Sequence, residues 1–245
     1  MISSYAMTDV GRTRTVNQDY VFSCLEPIGS LPNLFIVADG MGGHQAGDFA
    51  SSYSVKKFLE SVSLSLQKNP LKIFDDAIKH ANRELIAKSK ENPDLKGMGT
   101  TLVALTVFGD RAYVANVGDS RLYLMESKLL QITVDHSLVQ EMIRLGELTK
   151  ENARIHPDKN IITRAVGAGK DIRADFFEFR LTKESMLLMC SDGLSNMVED
   201  AQIAAILKSG QSSEKISKKL VETANKNGGK DNIAVIVVKT NAGEV

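Results

Sequence analysis

The stretch that decides the fold is Asn33-Leu-Phe-Ile-Val-Ala-Asp-Gly-Met-Gly-Gly-His-Gln-Ala-Gly47. Its apolar run at 34–38 is typical of a strand that is buried on both faces. Asp39 ends this run, so stiff backbone holds an acid at the edge of the core. The glycines that follow let the main chain approach another group closely. From these residues alone, that group is a turn, a phosphate or a metal ion.

The composition indicates a globular protein with a large core and no global charge. The 245 residues are 43% hydrophobic, and 30 Lys and Arg balance 30 Asp and Glu. This balance gives no field that favours nucleic acid or an anionic membrane. No apolar run approaches the roughly 20 residues of a membrane span. Cys24 and Cys190 lie in apolar strand-like segments, so we expect two reduced core thiols in a cytoplasmic protein.

Helix-like and strand-like patterns occur in blocks along the chain. The strand patterns are 2–7, 20–24, 34–38, 100–108, 111–117, 122–125, 129–134, 174–179, 185–190 and 233–238. The helical patterns are 48–66, a segment that starts at Pro70, 199–208 and 213–226. The four strands within 100–134 are predicted to form one antiparallel meander, because their connections are too short to reach parallel neighbours.

This order predicts an α+β fold in four layers, α-β-β-α, in which helix pairs flank two antiparallel sheets. Residues 1–245 contain no linker rich in Pro, Gly or Ser, so we expect a single domain. The segment at about 136–173 is weakly patterned, with a short helix expected after Ser137. Long segments of this kind inside a compact domain are often functional, and we expect a flap.

Several acids share one sequence context, because each lies at the end of a predicted strand. They are Asp19, Asp39, Asp119, Asp192 and Asp231. If these ends meet, the like charges raise the pKa of each carboxyl group, and protons or divalent cations must relieve the repulsion. Hard oxygen ligands of this type suit Mg²⁺ or Mn²⁺. The competing interpretation is turn chemistry, because Asp-Gly and Gly-Asp are common turn dipeptides, as at Gly109-Asp110.

A series of short motifs runs through essentially the whole chain. They are Arg14-x-x-Asn-Gln-Asp19, Val37-Ala-Asp-Gly-Met-Gly-Gly-His-x-Ala-Gly47, Gly99-Thr-Thr101, Asn116-Val-Gly-Asp-Ser-Arg121, Asp135-His-Ser137, Ile162-Thr-Arg-Ala-Val-Gly167, Cys190-Ser-Asp-Gly-Leu194 and Gly229-Lys-Asp-Asn232. In this order they resemble the metal-dependent serine/threonine protein phosphatases of the type 2C (PPM) family, in its compact bacterial form. The resemblance implies the same four-layer fold and hydrolysis of phosphoserine and phosphothreonine in proteins.

The resemblance also implies a metal centre with two core Mn²⁺ or Mg²⁺ ions and a third, weaker ion. Asp39 matches the carboxylate that bridges the two core ions, and Gly40 matches a glycine whose carbonyl is a ligand. Asp192 and Asp231 match the remaining core ligands. Asp119 matches the acid that holds the third ion together with Asp192.

Further roles follow from the same resemblance. Arg14 matches the arginine that binds the substrate phosphate, and Asp19 matches an acid that orients metal-bound water. Gln18 stands where many eukaryotic relatives carry Glu, which excludes a direct carboxylate ligand there. His44 remains open as acid catalyst, substrate contact or bystander, and His136 is expected to fix the base of the flap.

The expected partners are phosphorylated proteins and a cognate serine/threonine kinase, with a monomeric enzyme and no nucleic acid or membrane. Two other functions compete with this one. A non-catalytic relative would bind phosphoproteins without hydrolysing them, although such a protein is expected to have lost acids that this chain retains. A metal-dependent phosphodiesterase would act on nucleic acid, but the neutral charge and the lack of basic and aromatic tracts weigh against it.

Overall fold

The computed structural model describes residues 2–43 and 46–240. The strands are β1 (Ile2–Asp9), β2 (Asp19–Cys24), β3 (Leu34–Met41), β4 (Gly99–Thr100), β5 (Leu102–Phe108), β6 (Arg111–Val117), β7 (Arg121–Met125), β8 (Leu129–Gln131), β9 (Asp175–Arg180), β10 (Met186–Cys190) and β11 (Ile233–Thr240). The helices are α1 (Ala46–Leu64), α2 (Pro70–Glu91), α3 (Leu138–Arg144), α4 (Lys150–Ile155), α5 (Asp192–Ser195), α6 (Asp200–Leu207) and α7 (Ser213–Lys226), and a 3-10 turn covers Pro93–Leu95.

The strands form two antiparallel sheets. One has the order β1-β11-β10-β7-β8, and the other has the order β2-β3-β5-β6-β9 with β4 beside the end of β3. Strand β3, an interior strand of the latter sheet, contains the apolar run 34–38 and Asp39, and its partner β2 places Asp19 directly opposite Asp39. Two acids that are far from adjacent in sequence are therefore brought together by strand register alone.

The apolar residues of β3 point alternately to two different cores, as expected for a strand with period two. Leu34 and Ile36 pack against helices α1 and α2, whereas Phe35 and Val37 face the second sheet. On the far side of that second sheet, helices α6 and α7 cover another buried cluster that includes Leu188. The predicted α+β fold in four α-β-β-α layers is confirmed.

The helix boundaries follow local capping signals. Asn69 precedes α2 and its side chain accepts hydrogen bonds from the amides of Leu71 and Lys72, while Pro70 occupies the first helical turn. Ser212 caps α7 in the same way by accepting from the amide of Lys215. None of the helices within 2–43 and 46–240 is both long and apolar enough to cross a membrane.

The prediction of a single meander across 100–134 is wrong. Strand β6 pairs with β5 and β9 in one sheet, but β7 pairs with β10 and β8 in the other. The chain therefore crosses between the sheets at 118–120, where Gly118 has a positive φ of 105°. A short connection excludes a parallel neighbour in the same sheet, but it does not exclude passage to the facing sheet.

The prediction of two core thiols holds for one of the two cysteines. Cys190 is buried, whereas Cys24 is half-buried on the edge strand β2.

The segment 136–173 contains two short helices. Ser137 caps α3 as predicted, because its hydroxyl accepts from the amide of Gln140. The second helix, α4, was not predicted, since 150–155 carries a weak apolar pattern. A bridge between Thr100 and Val166 attaches the segment to the rest of the chain, and a bridge between Ser137 and Ile162 joins two parts of the segment to each other. Its action as a flap stays a prediction.

Candidate active site

A cavity of about 250 Å³ opens where the ends of both sheets meet. Its wall contains six of the residues that the sequence singled out, and these are Arg14, Asp39, Gly40, Asp119, Asp192 and Asp231. Asp19 lies beside them, opposite Asp39 in the β2–β3 pair. Asn160 and Ile162 from the segment 136–173 also line the cavity. His44 lies outside the described residues.

The backbone of Asp39 is held by two threonines. Its amide donates to Thr101 Oγ1 at 2.9 Å, and its carbonyl oxygen accepts from the Thr101 amide and the Thr100 hydroxyl, each at 2.9 Å. Thr101 Oγ1 also lies 2.7 Å from Ser120 Oγ at the crossing between the sheets. Thr101 therefore fixes Asp39 relative to the corner that carries Asp119. Thr101 belongs to the Gly99-Thr-Thr101 motif, but nothing in that motif indicates this supporting role.

Two glycines allow elements of the site to touch. A Cβ atom on Gly40 would lie 1.9 Å from the carbonyl oxygen of Gly47, and one on Gly193 would lie 1.8 Å from the carbonyl oxygen of Asn232. Neither distance is possible for real atoms, so any larger residue would displace backbone. The glycine after Asp39 thus permits close packing against α1, and the glycine after Asp192 permits close packing against the start of β11.

Asp19 is buried, with 6% of its surface exposed. Its Oδ2 atom accepts a hydrogen bond of 2.6 Å from Ser191 Oγ, which in turn accepts from the amide of Ala234 at 2.9 Å. Its Oδ1 atom is buried and has no hydrogen-bond partner among the residues that the structure describes. A buried carboxylate oxygen with no donor costs free energy, so this atom marks a place where a proton or another donor is needed.

Burial and neighbouring negative charges raise the pKa values of the clustered acids. Burial raises the pKa of Asp19 to about 8, and the charges of Asp192 and Asp231 act in the same direction. Burial, followed by the charge of Asp19, raises the pKa of Asp39 well above its usual range. Burial and the charge of Asp192 raise the pKa of Asp119, and burial and the charge of Asp231 raise the pKa of Asp192. The protein alone therefore disfavours the charged form of these carboxyl groups.

Arg14 lies at the exposed rim of the cavity. Its Nη2 atom is 3.0 Å from Asp231 Oδ2, and about half of its side chain, 51%, is exposed. Asn232 holds the loop that carries Arg14, because its Nδ2 atom donates to the carbonyl oxygens of Val10 at 2.9 Å and Val16 at 3.0 Å. Asn232, like Thr101, belongs to a quoted motif whose supporting role the sequence did not reveal.

The family follows from comparison with known proteins. Residues 11–237 match the family model described as Protein phosphatase 2C. The chain belongs to the protein phosphatase 2C family. A serine/threonine phosphatase stp of Listeria innocua is 41% identical over 239 residues, which cover 96% of this chain and 94% of the relative. The predicted resemblance is therefore confirmed.

Solved structures agree with this protein phosphatase 2C assignment. A serine/threonine phosphatase of S. agalactiae superposes with a TM-score of 0.91 at 35% identity, covering 98% of this chain and all (100%) of that one. The catalytic domain of the phosphatase PstP, solved in complex with two manganese ions, has a TM-score of 0.86 at 31% identity, with 98% of each chain covered.

His136 attaches the segment 136–173 to the site of this protein phosphatase 2C chain. Its Nδ1 atom accepts from the amide of Gly118 at 3.1 Å, and its own amide donates to the Gly118 carbonyl oxygen at 2.9 Å. Its Nε2 atom lies 3.2 Å from Asp175 Oδ2, and Arg164 Nη1 lies 2.8 Å from Asp175 Oδ1. Its carbonyl oxygen accepts from the amide of Thr163 at 2.8 Å. These contacts lie at the base of the segment, where the sequence analysis expected His136.

Proposed function

We propose that this chain hydrolyses phosphoserine and phosphothreonine in proteins. The observation that carries the proposal is the meeting of Arg14 with acids from both sheets in one cavity, within a protein phosphatase 2C fold. An arginine suits the phosphate group because its planar fork donates two parallel hydrogen bonds. The acids suit divalent cations, because each provides hard oxygen ligands.

The proposed core ligands are the carboxylates of Asp39, Asp192 and Asp231 and the carbonyl oxygen of Gly40, with Asp39 as the bridge between two ions. Asp119 and Asp192 would hold a third, weaker ion. The raised pKa values and the unpartnered Oδ1 atom of Asp19 fit this proposal, because both describe carboxyl groups that lack positive partners. The relative PstP, solved with two manganese ions, also supports it.

Within the described residues, no group of three or more His, Cys, Asp or Glu side chains is already arranged to hold a metal ion. The proposed ions would therefore have to take part of their coordination from water. Mg²⁺ in particular retains several water ligands and takes only one or two carboxylates from the protein. The choice between Mn²⁺ and Mg²⁺ is left to experiment.

The chemistry divides between the cations and the protein. Two cations held by these acids would lower the pKa of a water molecule and so would supply hydroxide near neutral pH as the nucleophile. Arg14 binds the phosphate and stabilises the charge on its oxygens in the transition state. Asp19 is fixed by Ser191, so its Oδ1 atom, which has no partner among the described residues, is placed to accept a hydrogen bond from a water molecule and to orient that water.

The proposed substrates are phosphorylated proteins, supplied by a cognate serine/threonine kinase. We also propose that the enzyme is a cytoplasmic monomer. The unpaired Cys24 and Cys190 support the location, because disulfides are rare in reducing compartments.

The test uses purified protein with p-nitrophenyl phosphate and a phosphothreonine peptide, with and without Mn²⁺ or Mg²⁺. We expect hydrolysis that requires a divalent cation and falls at least about a hundredfold in Asp39→Asn and Asp192→Asn. Asp110→Asn, a change in an exposed turn, serves as the control and should keep full activity. Full activity in either site variant would overturn the assignment of the centre. Phosphopeptide binding without turnover would indicate a binding module, and faster cleavage of single-stranded DNA would indicate a phosphodiesterase.

A further inference from the structure

A second cavity adjoins the candidate active site. It encloses about 290 Å³ between helices α3 and α4 and the ends of β7 and β10. Asp119 and Asp192 line both cavities, so the two share a wall. A peptide whose phosphate enters the active site can therefore place a neighbouring side chain in the second cavity, because successive residues of an extended chain are only about 3.3 Å apart.

The charges of this second cavity are unevenly paired. Arg121 shares its single Nε–H between the two carboxylate oxygens of Asp135, each at 3.0 Å, and donates from Nη2 to Asp135 Oδ2 at 2.7 Å, so these two charges neutralise each other. Asp119 and Asp192 face the proposed cations. Asp200 accepts a hydrogen bond from the Tyr123 hydroxyl at 3.3 Å. Asp200 is thus the one lining carboxylate, among the described residues, not already matched to a positive charge.

Three cations on the other wall remain without an acidic partner. They belong to Lys150, Arg154 and Lys159, all from the segment 136–173. In the described part of the chain, none of the three has a carboxylate within the 4.0 Å that defines an ion pair. Arg154 uses one of its N–H groups to donate to the Ser195 carbonyl oxygen at 3.2 Å, which anchors α4 beside α5 and leaves its other N–H groups available.

Lys159 lies where this wall meets the active site. It lines the second cavity together with Asp192, and the next residue, Asn160, lines the active-site cavity. Lys159 is half-buried, so its charge is less screened by water than that of an exposed lysine. An anion drawn to Lys159 is therefore close to the place where the substrate phosphate binds.

Resting on the proposed phosphatase function, we propose that this cavity binds an anionic side chain near the scissile phosphoresidue. Lys150, Lys159 and the unused N–H groups of Arg154 recognise either a carboxylate or a second phosphate. The favoured substrates are then phosphoproteins with acidic or multiply phosphorylated sequence around the target residue. These cations gain more from such substrates than from neutral ones, because no carboxylate of the described residues lies within ion-pair distance of them.

The experiment compares the hydrolysis of matched phosphothreonine peptides by the purified enzyme in the presence of Mn²⁺. The peptides of the first series are neutral around the phosphothreonine. Each peptide of the second series carries a single Glu at one of the positions from three before to three after the phosphothreonine. In the third series, a non-hydrolysable phosphonate analogue of phosphoserine replaces that Glu. The variants are Lys150→Gln, Lys159→Gln and their double, with Lys170→Gln as the control. Lys170 is an exposed lysine of the same segment that lies outside this cavity.

We expect kcat/KM of the wild type to be about five- to tenfold higher for at least one anionic peptide than for the neutral one, mainly through KM. The double variant should reduce this ratio to below about twofold, whereas Lys170→Gln should retain it. All variants should hydrolyse p-nitrophenyl phosphate within about twofold of wild type, because this substrate has no flanking residues. A response to Glu as well as phosphonate would identify a general anion site, and a response to phosphonate alone would identify a second-phosphate site.

Equal rates for neutral and anionic peptides in the wild type would overturn the proposal. It would also be overturned if the double variant kept the preference, or if Lys170→Gln abolished it equally well. Loss of p-nitrophenyl phosphate hydrolysis in the double variant would assign these lysines to the structure of the active site instead. A wild type that hydrolyses nothing with Mn²⁺ would overturn the phosphatase function together with this inference.

Discussion

The substitution Asp19→Asn should stabilise the metal-free protein while impairing the enzyme. Asp19 is buried, its pKa is raised to about 8, and its Oδ1 atom has no hydrogen-bond partner in the described chain. An asparagine has the same shape, carries no charge and can still accept the hydrogen bond from Ser191. It therefore removes the cost of a buried carboxyl group without removing the contact that holds the side chain.

The sign and size of the effect follow from proton linkage. The folded pKa of Asp19 lies above its unfolded value of 3.8, so the stability that this group contributes at low pH is lost as pH rises through the window from about 4 to about 8. Within that window each pH unit costs about 1.4 kcal/mol. Between pH 5.5 and 7.0 wild type should therefore lose about 2 kcal/mol relative to Asp19→Asn, or about 4 to 8 °C in Tm for a domain of this size.

The assay is thermal unfolding of both proteins in a chelator at several pH values, repeated with saturating Mn²⁺. The Tm difference in favour of Asp19→Asn should grow with pH in the chelator and shrink with Mn²⁺, because cations stabilise the ionised carboxylates of wild type. Asp110→Asn, which removes a carboxylate that is 68% exposed, serves as the matched control. A Tm difference for Asp19→Asn that stays constant from pH 5.5 to 7.5 would refute the reasoning.

Three further predictions test the packing, the phosphate contact and the cations. In urea titrations, Gly193→Ala should lower the free energy of unfolding by about 3 kcal/mol or more, because its Cβ would overlap backbone atoms. The control Gly169→Ala should change the free energy of unfolding by less than about 0.5 kcal/mol, because no atom lies within 4 Å of the added Cβ. Arg14→Lys should lower kcat/KM for a phosphopeptide about ten- to a hundredfold, because an ammonium group cannot donate the bidentate fork; unchanged kinetics would exclude Arg14 from phosphate binding. Chelation should abolish hydrolysis, and Mn²⁺ at a hundred times its Kd should restore it and raise Tm by about 5 to 10 °C; chelator-resistant activity would contradict the metal centre.

The sequence was most informative where local pattern and chemistry coincide. The apolar run ending at Asp39 predicted a doubly buried strand, and β3 has that form. The crossing at 118–120 was missed, because short connections were assumed to stay within one sheet. A glycine such as Gly118, with φ of 105°, is the local signal of this corner, but glycine is equally common in hairpin turns. Local pattern cannot distinguish the two, because the choice depends on which sheet has an open edge.

The supporting residues were missed for a different reason. Thr101, Ser191 and Asn232 are small polar residues whose partners lie far away in sequence. Ser191 is 172 positions from Asp19, and Asn232 is 214 positions from Gln18. A hydroxyl or amide group gives no periodic signal, so only the fold reveals what it contacts. The motifs that contain these residues carried the family resemblance, yet the resemblance assigned roles only to the acids, Gly40 and Arg14.

The positions of these polar contacts explain how the site tolerates its own charge. Ser191 follows β10 of one sheet and bonds to Asp19 at the start of β2 in the other, and the Asn232 side chain accepts from the Gln18 amide across the same boundary at 2.9 Å. Repulsion among the acids acts to separate the sheet ends, whereas these hydrogen bonds and the apolar core behind them hold the ends together. The site can therefore remain assembled before any cation binds. Cation binding then relieves the repulsion among the acids in a site that is already formed. Metal affinity and folding stability are therefore linked through the same carboxylates.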